Sequence, residues 1–98
     1  MTLRIDPEKN EVQTLKEMTI WHDKRVLEIG CGNGRLTQRL ANLGAYVDAL
    51  DPNKETISTA KKELPERLAN RVKYKVGSTE KLKYPNQTFE IVIFSWVL

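Results

Sequence analysis

Apolar residues recur at two different spacings along the chain, and the change from one spacing to the other predicts the order of helices and strands. Helical spacing after Asp6 and Pro7 predicts an amphipathic helix over residues 7–20. Short apolar or alternating runs predict four strands, at residues 25–29, 45–50, 71–76 and 89–98. The predicted order is therefore a helix followed by β-α-β-α-β-loop-β.

Two further helices are predicted in the connections between the first three strands. The first carries an apolar stripe at Leu36, Leu40 and Leu43. Gly44 follows, where a left-handed residue commonly ends a helix. Asp51 or Asn53 can cap the second helix. Its buried face is marked by Ile57, Ala60, Leu64 and Leu68. Pro65 is expected to kink or restart this helix, because its ring would clash with the carbonyl four residues earlier.

The alternation of strands with helices predicts the architecture. Such an order gives a parallel sheet with right-handed crossover connections. The run from Ile91 to Phe94 is apolar at every position, as expected for a strand that is covered on both faces. We therefore predict the α/β fold class, with a parallel sheet and flanking helices. Ligands of such sheets bind beyond the carboxyl ends of the strands, where the strand order reverses.

The composition narrows the class of protein. The chain has 98 residues, 40% hydrophobic and 30% charged, as expected for one small globular domain. No apolar run approaches the roughly 18 residues that a membrane helix needs, and the start lacks an apolar signal core. The single cysteine, Cys31, agrees with a reducing compartment. We therefore expect a cytoplasmic protein without a membrane partner. A net charge of +3 is too small to indicate a nucleic acid partner.

The stretch VLEIGCGNGRLT places Gly30, Gly32 and Gly34 at the end of the first of these strands. Side chains there would block the approach of a ligand to the backbone. A tight turn alone would explain one such glycine but fits three poorly. The spacing differs from the dinucleotide fingerprint G-x-G-x-x-G, because Arg35 occupies the position of its last glycine. A P-loop is disfavoured because no Lys-Ser or Lys-Thr pair follows.

Two carboxylates accompany the glycines. Glu28 would repel a pyrophosphate and attract an ammonium group, so the loop suits a ligand with a cationic end. Asp51 ends the second strand, 23 residues after Glu28, where a carboxylate can accept both hydroxyls of a ribose. Asp51 can instead cap the next helix. The two roles are compatible, because a carboxylate has two oxygens.

Four stretches resemble the successive motifs of class I S-adenosylmethionine-dependent methyltransferases, of the type 11 group: VLEIGCGNGRLT, VDALDPN, VGSTEKL and FEIVIFSWVL. They occur in the family's order and spacing, over residues 20–98. The resemblance implies a Rossmann-like sheet whose order reverses between the first and fourth of these strands. It also implies S-adenosylmethionine as cofactor, S-adenosylhomocysteine as product and a small-molecule methyl acceptor.

The resemblance further implies which residues bind the cofactor. The methionine part would lie over the glycine loop, at Gly30, Cys31, Gly32 and Gly34. Glu28 would lie near its amino group, directly or through water, and Asp51 would bind the ribose hydroxyls.

The adenine end is implied in the same way. Pro52 and Asn53 would flank the ring. Ser78 and Thr79 stand where the family often places an Asp beside the adenine amine. Ser95 would border the cofactor on the acceptor side.

No catalytic residue or metal site is assigned. Methyl transfer from a sulfonium depends mainly on positioning and desolvation, so no nucleophile or metal is required. Cys31 lies between two loop glycines, where a small residue is needed. His22, the single histidine, is expected in a solvated linker, and one histidine without partners does not make a metal site.

The two edges of the predicted sheet are places where another chain could pair with this one. Lys73 and Lys75 share one face of the predicted strand over residues 71–76. Lysines on an exposed edge strand discourage pairing with other chains, and we favour this interpretation over a nucleic acid surface. The strand over residues 89–98 would form an open apolar edge. We therefore expect either a piece of a longer protein, incomplete after the fourth strand, or a homo-oligomer completed through that edge.

Two functions stay open. Residues 1–98 are assigned to a single methyltransferase domain, with the N-terminal helix within residues 1–21. The alternative is a non-catalytic S-adenosylmethionine-binding or interaction module that lacks the acceptor half. A nicotinamide-dependent dehydrogenase is disfavoured by Glu28 and by Arg35 in place of glycine.

Overall fold

A computed structural model describes residues 2–4, 21–77 and 89–94 of the chain. The strands are β1 (Thr2–Arg4), β2 (Arg25–Ile29), β3 (Tyr46–Asp51), β4 (Val72–Val76) and β5 (Ile91–Phe94). The helices are α1 (Arg35–Asn42) and α2 (Lys54–Glu63), and a short 3-10 helix spans Glu66–Leu68.

The strands form one parallel sheet in the order β1-β5-β2-β3-β4. The chain runs outward from β2 to β3 and β4 and then returns to the other side of β2 with β5. The predicted α/β class, the parallel sheet and the reversal beside β2 are therefore confirmed. The carboxyl end of β2 lies at the switch point, where α/β sheets bind ligands.

The prediction of an open edge at the last strand is wrong. Thr2, Leu3 and Arg4 pair in parallel with Val92, Ile93 and Phe94, so β1 covers that edge of β5. The sequence did not predict β1, because three residues are too few to show the alternation of apolar and polar positions that is typical of a strand. Their pairing partners also lie at the other end of the chain. The expected homo-oligomer through a bare β5 edge thus loses its structural basis. The predicted helix over residues 7–20 lies outside the described residues.

Both helices pack on one face of the sheet, against β3 and β4. Leu36 and Leu40 of α1 and Ile57 of α2 are buried there with strand residues that include Val26 and Val47. On β4, Lys73 and Lys75 are exposed while Val72 and Tyr74 are buried. β4 forms an outer edge of the described sheet, so the predicted edge position of these lysines is confirmed.

The helix ends follow local sequence signals. Gly44 has a φ of 96° and donates its N–H to the carbonyl of Ala41 at 2.9 Å, as predicted for the end of α1. A side chain at Gly44 would meet His22 Nδ1 at 2.5 Å. Asn53, rather than Asp51, caps α2, because its side chain accepts the Thr56 N–H at 3.0 Å.

The predicted kink or restart at Pro65 takes the form of a break: α2 ends at Glu63, and a 3-10 helix begins at Glu66. Leu64, directly before Pro65, has extended backbone (φ −69°, ψ 121°), as expected for a residue that precedes proline. The chain then turns through the 3-10 helix into β4. Of the predicted buried face, Ile57, Ala60 and Leu68 are buried, and Leu64 is partly buried against the core.

A pair of valines tests this packing. Val47 in β3 is 1% exposed, whereas Val76 in β4 is 48% exposed. Val47→Ala is expected to lower the free energy of unfolding by about 2 kcal/mol, through lost burial and the cavity that remains. Val76→Ala is expected to change it by less than about 0.5 kcal/mol. Urea denaturation of both variants measures the difference, and equal losses would contradict the described core.

Candidate functional site

The glycine loop begins where β2 ends and is fixed to the neighbouring strand. The N–H groups of Gly30 and Cys31 both donate to the carbonyl of Leu50 on β3, at 2.8 and 2.9 Å. The Gly34 N–H donates to the Cys31 carbonyl at 3.1 Å and closes the turn before α1. Gly30, Gly32 and Gly34 have φ values of 78°, 57° and 88°, a region that favours glycine.

Asp51 joins this loop to the next one. Its Oδ2 accepts the Gly32 N–H at 3.1 Å, and its Oδ1 accepts the Asn53 N–H at 2.9 Å. The carboxylate is half-buried at the carboxyl end of β3. Each oxygen has further lone pairs, so the side chain can still accept hydrogen bonds from a ligand.

A cavity of about 360 Å³ opens between these two loops. It is lined by Gly30, Gly32, Asp51, Pro52, Asn53 and Thr56. The structure thus brings together five of the residues predicted to bind a ligand. Thr56 was not among them; its sequence signal is its place in the first turn of α2, three residues after the predicted cap Asn53.

Glu28 lies beneath the loop rather than in the cavity. It is fully buried, and its Oε1 accepts a hydrogen bond from the hydroxyl of Thr37 on α1. Glu28 is not among the described residues that line the cavity. It can therefore act on a ligand through its charge, from behind the loop.

Cys31 is buried inside the loop. Burial raises the pKa of its thiol far above the ordinary value, and the charges of Glu28 and Asp51 raise it further. A thiol held in its protonated form is a poor nucleophile. This agrees with the prediction that Cys31 serves as a small loop residue.

The other residues considered from the sequence lie apart from this cavity or outside the described part. His22 precedes β2, at the amino end of the sheet, and pairs with Asp23 at 3.2 Å while its side chain stays 68% exposed. Ser78, Thr79 and Ser95 lie outside the described residues. Within the described ranges, His, Cys, Asp and Glu form no group of three that could hold a metal ion.

None of the helices in the described residues has the length and apolar character needed to traverse a bilayer.

A comparison with protein families shows the family to which the chain belongs. The profile of a family described as a methyltransferase domain matches residues 26–98, about three quarters of the chain. The chain belongs to the S-adenosylmethionine-dependent methyltransferases. The motifs that carried the resemblance in the sequence lie within the matched region.

Individual relatives agree with this membership of the methyltransferases. The mitochondrial ubiquinone biosynthesis O-methyltransferase of Schizosaccharomyces pombe is 38% identical over 88 residues, which cover 88% of this chain and 32% of that protein. The human protein of the same name is 39% identical over 77 residues, which cover 76% of this chain and 21% of that protein. The methyltransferase chain described here thus spans about a third or less of these relatives' length.

A solved methyltransferase shares the fold. Phosphoethanolamine N-methyltransferase 1 of Haemonchus contortus, solved with phosphoethanolamine and S-adenosylhomocysteine, superposes with a TM-score of 0.71 at 25% identity. The superposition covers 85% of this chain and 17% of the nematode protein.

The residues of the cavity fit the methyltransferase cofactor. A Cβ built at Gly32 would meet nothing within 4 Å, so the space in front of this backbone is open to a ligand. Asp51 offers carboxylate lone pairs at the rim, and Pro52 offers a rigid apolar ring beside them. The site therefore lets a ligand come close to the backbone of Gly32, and it offers the ligand one carboxylate, Asp51, and one apolar ring, Pro52.

The state of Cys31 is open to a direct test. We expect iodoacetamide at pH 8 to modify this methyltransferase far more slowly in its native state than in urea, because the native thiol is buried and protonated. Because folding disfavours the thiolate, the contribution of this thiol to stability should be constant below the ordinary cysteine pKa and should fall as the pH rises above it. Mass spectrometry measures the modification. Equal rates in the two states would show that the loop leaves the thiol exposed.

Proposed function

We propose that this chain is the cofactor-binding part of an enzyme that transfers a methyl group from S-adenosylmethionine to a small-molecule acceptor. The observation that carries this proposal is the cavity between the glycine loop and Asp51. It joins an open glycine backbone to a carboxylate whose position is set by two backbone hydrogen bonds. The domain assignment of residues 1–98 is part of this proposal.

The individual roles in the proposal are those that the resemblance to the family implies, and the positions of the lining residues support them. The loop from Gly30 to Gly34 would receive the methionine part of the cofactor, with Glu28 acting on its amino group from below. Asp51 would accept the ribose hydroxyls. Pro52 and Asn53 would border the adenine. When bound, the cofactor supplies an activated methyl group on a sulfonium.

Three further residues belong to the proposal although they lie outside the described part of the chain. Ser78 and Thr79 would approach the adenine amine, and Ser95 would border the cofactor on the acceptor side. Thr56 extends the proposed site, because it lines the same cavity as Asp51.

The acceptor is proposed from the relatives. The proteins from Schizosaccharomyces pombe and human are named ubiquinone biosynthesis O-methyltransferases, which supports a small molecule with a hydroxyl group as acceptor. Asp51 is the one ionisable side chain among the described residues of the cavity, and it already accepts two backbone amides. The described residues therefore serve to hold and orient the cofactor.

A second candidate function is a binding module without turnover. It is favoured by the lining of the cavity, because Asp51, the one ionisable side chain among its described residues, already accepts two backbone amides. Incubation with methyl-labelled S-adenosylmethionine and a panel of hydroxyl-bearing small molecules separates the two functions. Label in a product supports the enzyme, whereas cofactor binding without transfer supports the module.

The location is also a proposal. The single cysteine supports a reducing compartment, and we propose the cytoplasm. The two relatives are named as mitochondrial, so fractionation of the source cells is the direct test.

Cofactor binding can be tested at Asp51. Asp51→Ala removes the carboxylate that would hold the ribose, and Asp51→Asn keeps its shape but removes the charge. We expect both variants to weaken the binding of S-adenosylhomocysteine by about tenfold or more, since each loses a charged hydrogen-bond acceptor worth about 1.5–3 kcal/mol. Isothermal titration calorimetry measures the affinity.

Asp48→Ala is the matched control. Asp48 lies on the same strand and outside the described lining of the cavity, so its replacement should leave the affinity unchanged. An unmodified chain that does not bind S-adenosylhomocysteine, or an Asp51→Ala variant that binds as well as it does, would contradict the proposal. Tighter binding of NAD than of S-adenosylhomocysteine would favour a dehydrogenase instead.

A further inference from the structure

Tyr74 reaches beneath the glycine loop from the edge strand β4. Its side chain is 7% exposed. A Cβ built at Gly34 would lie 2.1 Å from the Tyr74 hydroxyl oxygen and 3.0 Å from Cζ of its ring. The tyrosine therefore occupies the space that any side chain at position 34 would need. Gly34 and Tyr74 fit each other as a pair.

The hydroxyl of Tyr74 is not needed to fill the core. It is buried, next to the hydroxyl of Thr37. Burial raises the pKa of Tyr74 to about 12, although the neighbouring hydroxyl of Thr37 acts in the opposite direction. The group thus stays a neutral hydroxyl over the ordinary pH range. A phenylalanine would bury the same ring without removing a polar group from water.

Thr37 connects this hydroxyl to the acid beneath the loop. Thr37 is fully buried and donates its hydroxyl to Glu28, which is also fully buried. Glu28, Thr37 and Tyr74 form a polar cluster in an otherwise apolar core. Polar groups buried at one level of a core hold a more specific geometry than apolar packing alone.

A displacement of Gly34 would reach the cavity through short connections. The Gly34 N–H holds the Cys31 carbonyl at 3.1 Å, and the Gly34 carbonyl accepts the Gln38 N–H of α1 at 2.9 Å. Gly32, whose open side faces the cavity, lies inside the turn that the first of these bonds closes. A shift of Gly34 relative to β4 would therefore also shift Gly32.

We infer that Tyr74 is a positioning residue for cofactor binding, and that its hydroxyl holds Gly34 and hence the glycine loop at the height that binding requires. The inference rests on the proposed binding of S-adenosylmethionine. Tyr74 acts through Gly34 and does not itself line the cavity.

The first test is Tyr74→Phe, measured with S-adenosylhomocysteine. We expect the affinity to fall by about fivefold, because Gly34 loses the oxygen atom against which it packs. The melting temperature should change little, because phenylalanine buries the same ring and removes no polar group from water. Tyr46→Phe is the control: Tyr46 on β3 is 42% exposed, and its change should affect neither quantity.

The second test is a double-mutant cycle with Gly34→Ala. Alone, this change should lower the melting temperature, since the new Cβ meets the tyrosine oxygen and the φ of 88° strains alanine. In a Tyr74→Phe background the loss should be smaller, because the oxygen is gone. Additive effects of the two changes would overturn the contact on which the inference depends.

The outcomes separate this inference from the proposed function. If the unmodified chain does not bind S-adenosylhomocysteine, the proposed function fails, and the inference fails with it. If it binds and Tyr74→Phe binds equally well, the positioning role alone is overturned. A Tyr74→Phe variant that loses stability and affinity together would assign the hydroxyl to folding and would also overturn the role.

Discussion

The hydrogen bonds that Asp51 accepts hold together two loops from different strands, and the site depends on them. One comes from Gly32, after β2, and the other from Asn53, after β3. Parallel pairing brings these loops together, because Ile29 stands beside Leu50 in the sheet. A shift of one residue in this register would turn Asp51 to the other face and break the bond to Gly32. The register of two buried strands therefore determines the geometry of the cavity.

Features that are determined by a few neighbouring residues could be predicted from the sequence. Asn53 caps α2 and Pro65 ends it through chemistry that is complete within four residues. Gly44 ends α1 because its own backbone needs a positive φ. The carboxyl end of β2 could be identified as the site because a parallel sheet has one switch point.

Features that depend on distant partners could not be predicted in this way. The strand β1 is defined by pairing with β5 at the far end of the chain. Its three residues are too few for an alternation of apolar and polar positions to be recognised. Thr37 reads as an interruption of the apolar stripe of α1 until Glu28 is seen to face it. Nothing in the sequence pattern shows that the hydroxyl of Tyr74 lies against Gly34.

The pKa of the Cys31 thiol depends on the electrostatic field of the charges around the glycine loop. After burial, the charges of Glu28 below and Asp51 at the rim are the next causes that raise its pKa. Charges that disfavour a thiolate at this point favour a cation there by the same Coulomb energy. A phosphate would meet the same repulsion as the thiolate, whereas a sulfonium and an ammonium would both be attracted. The two carboxylates therefore favour a ligand with a cationic end at this loop, and this argument does not depend on the spacing of the glycines.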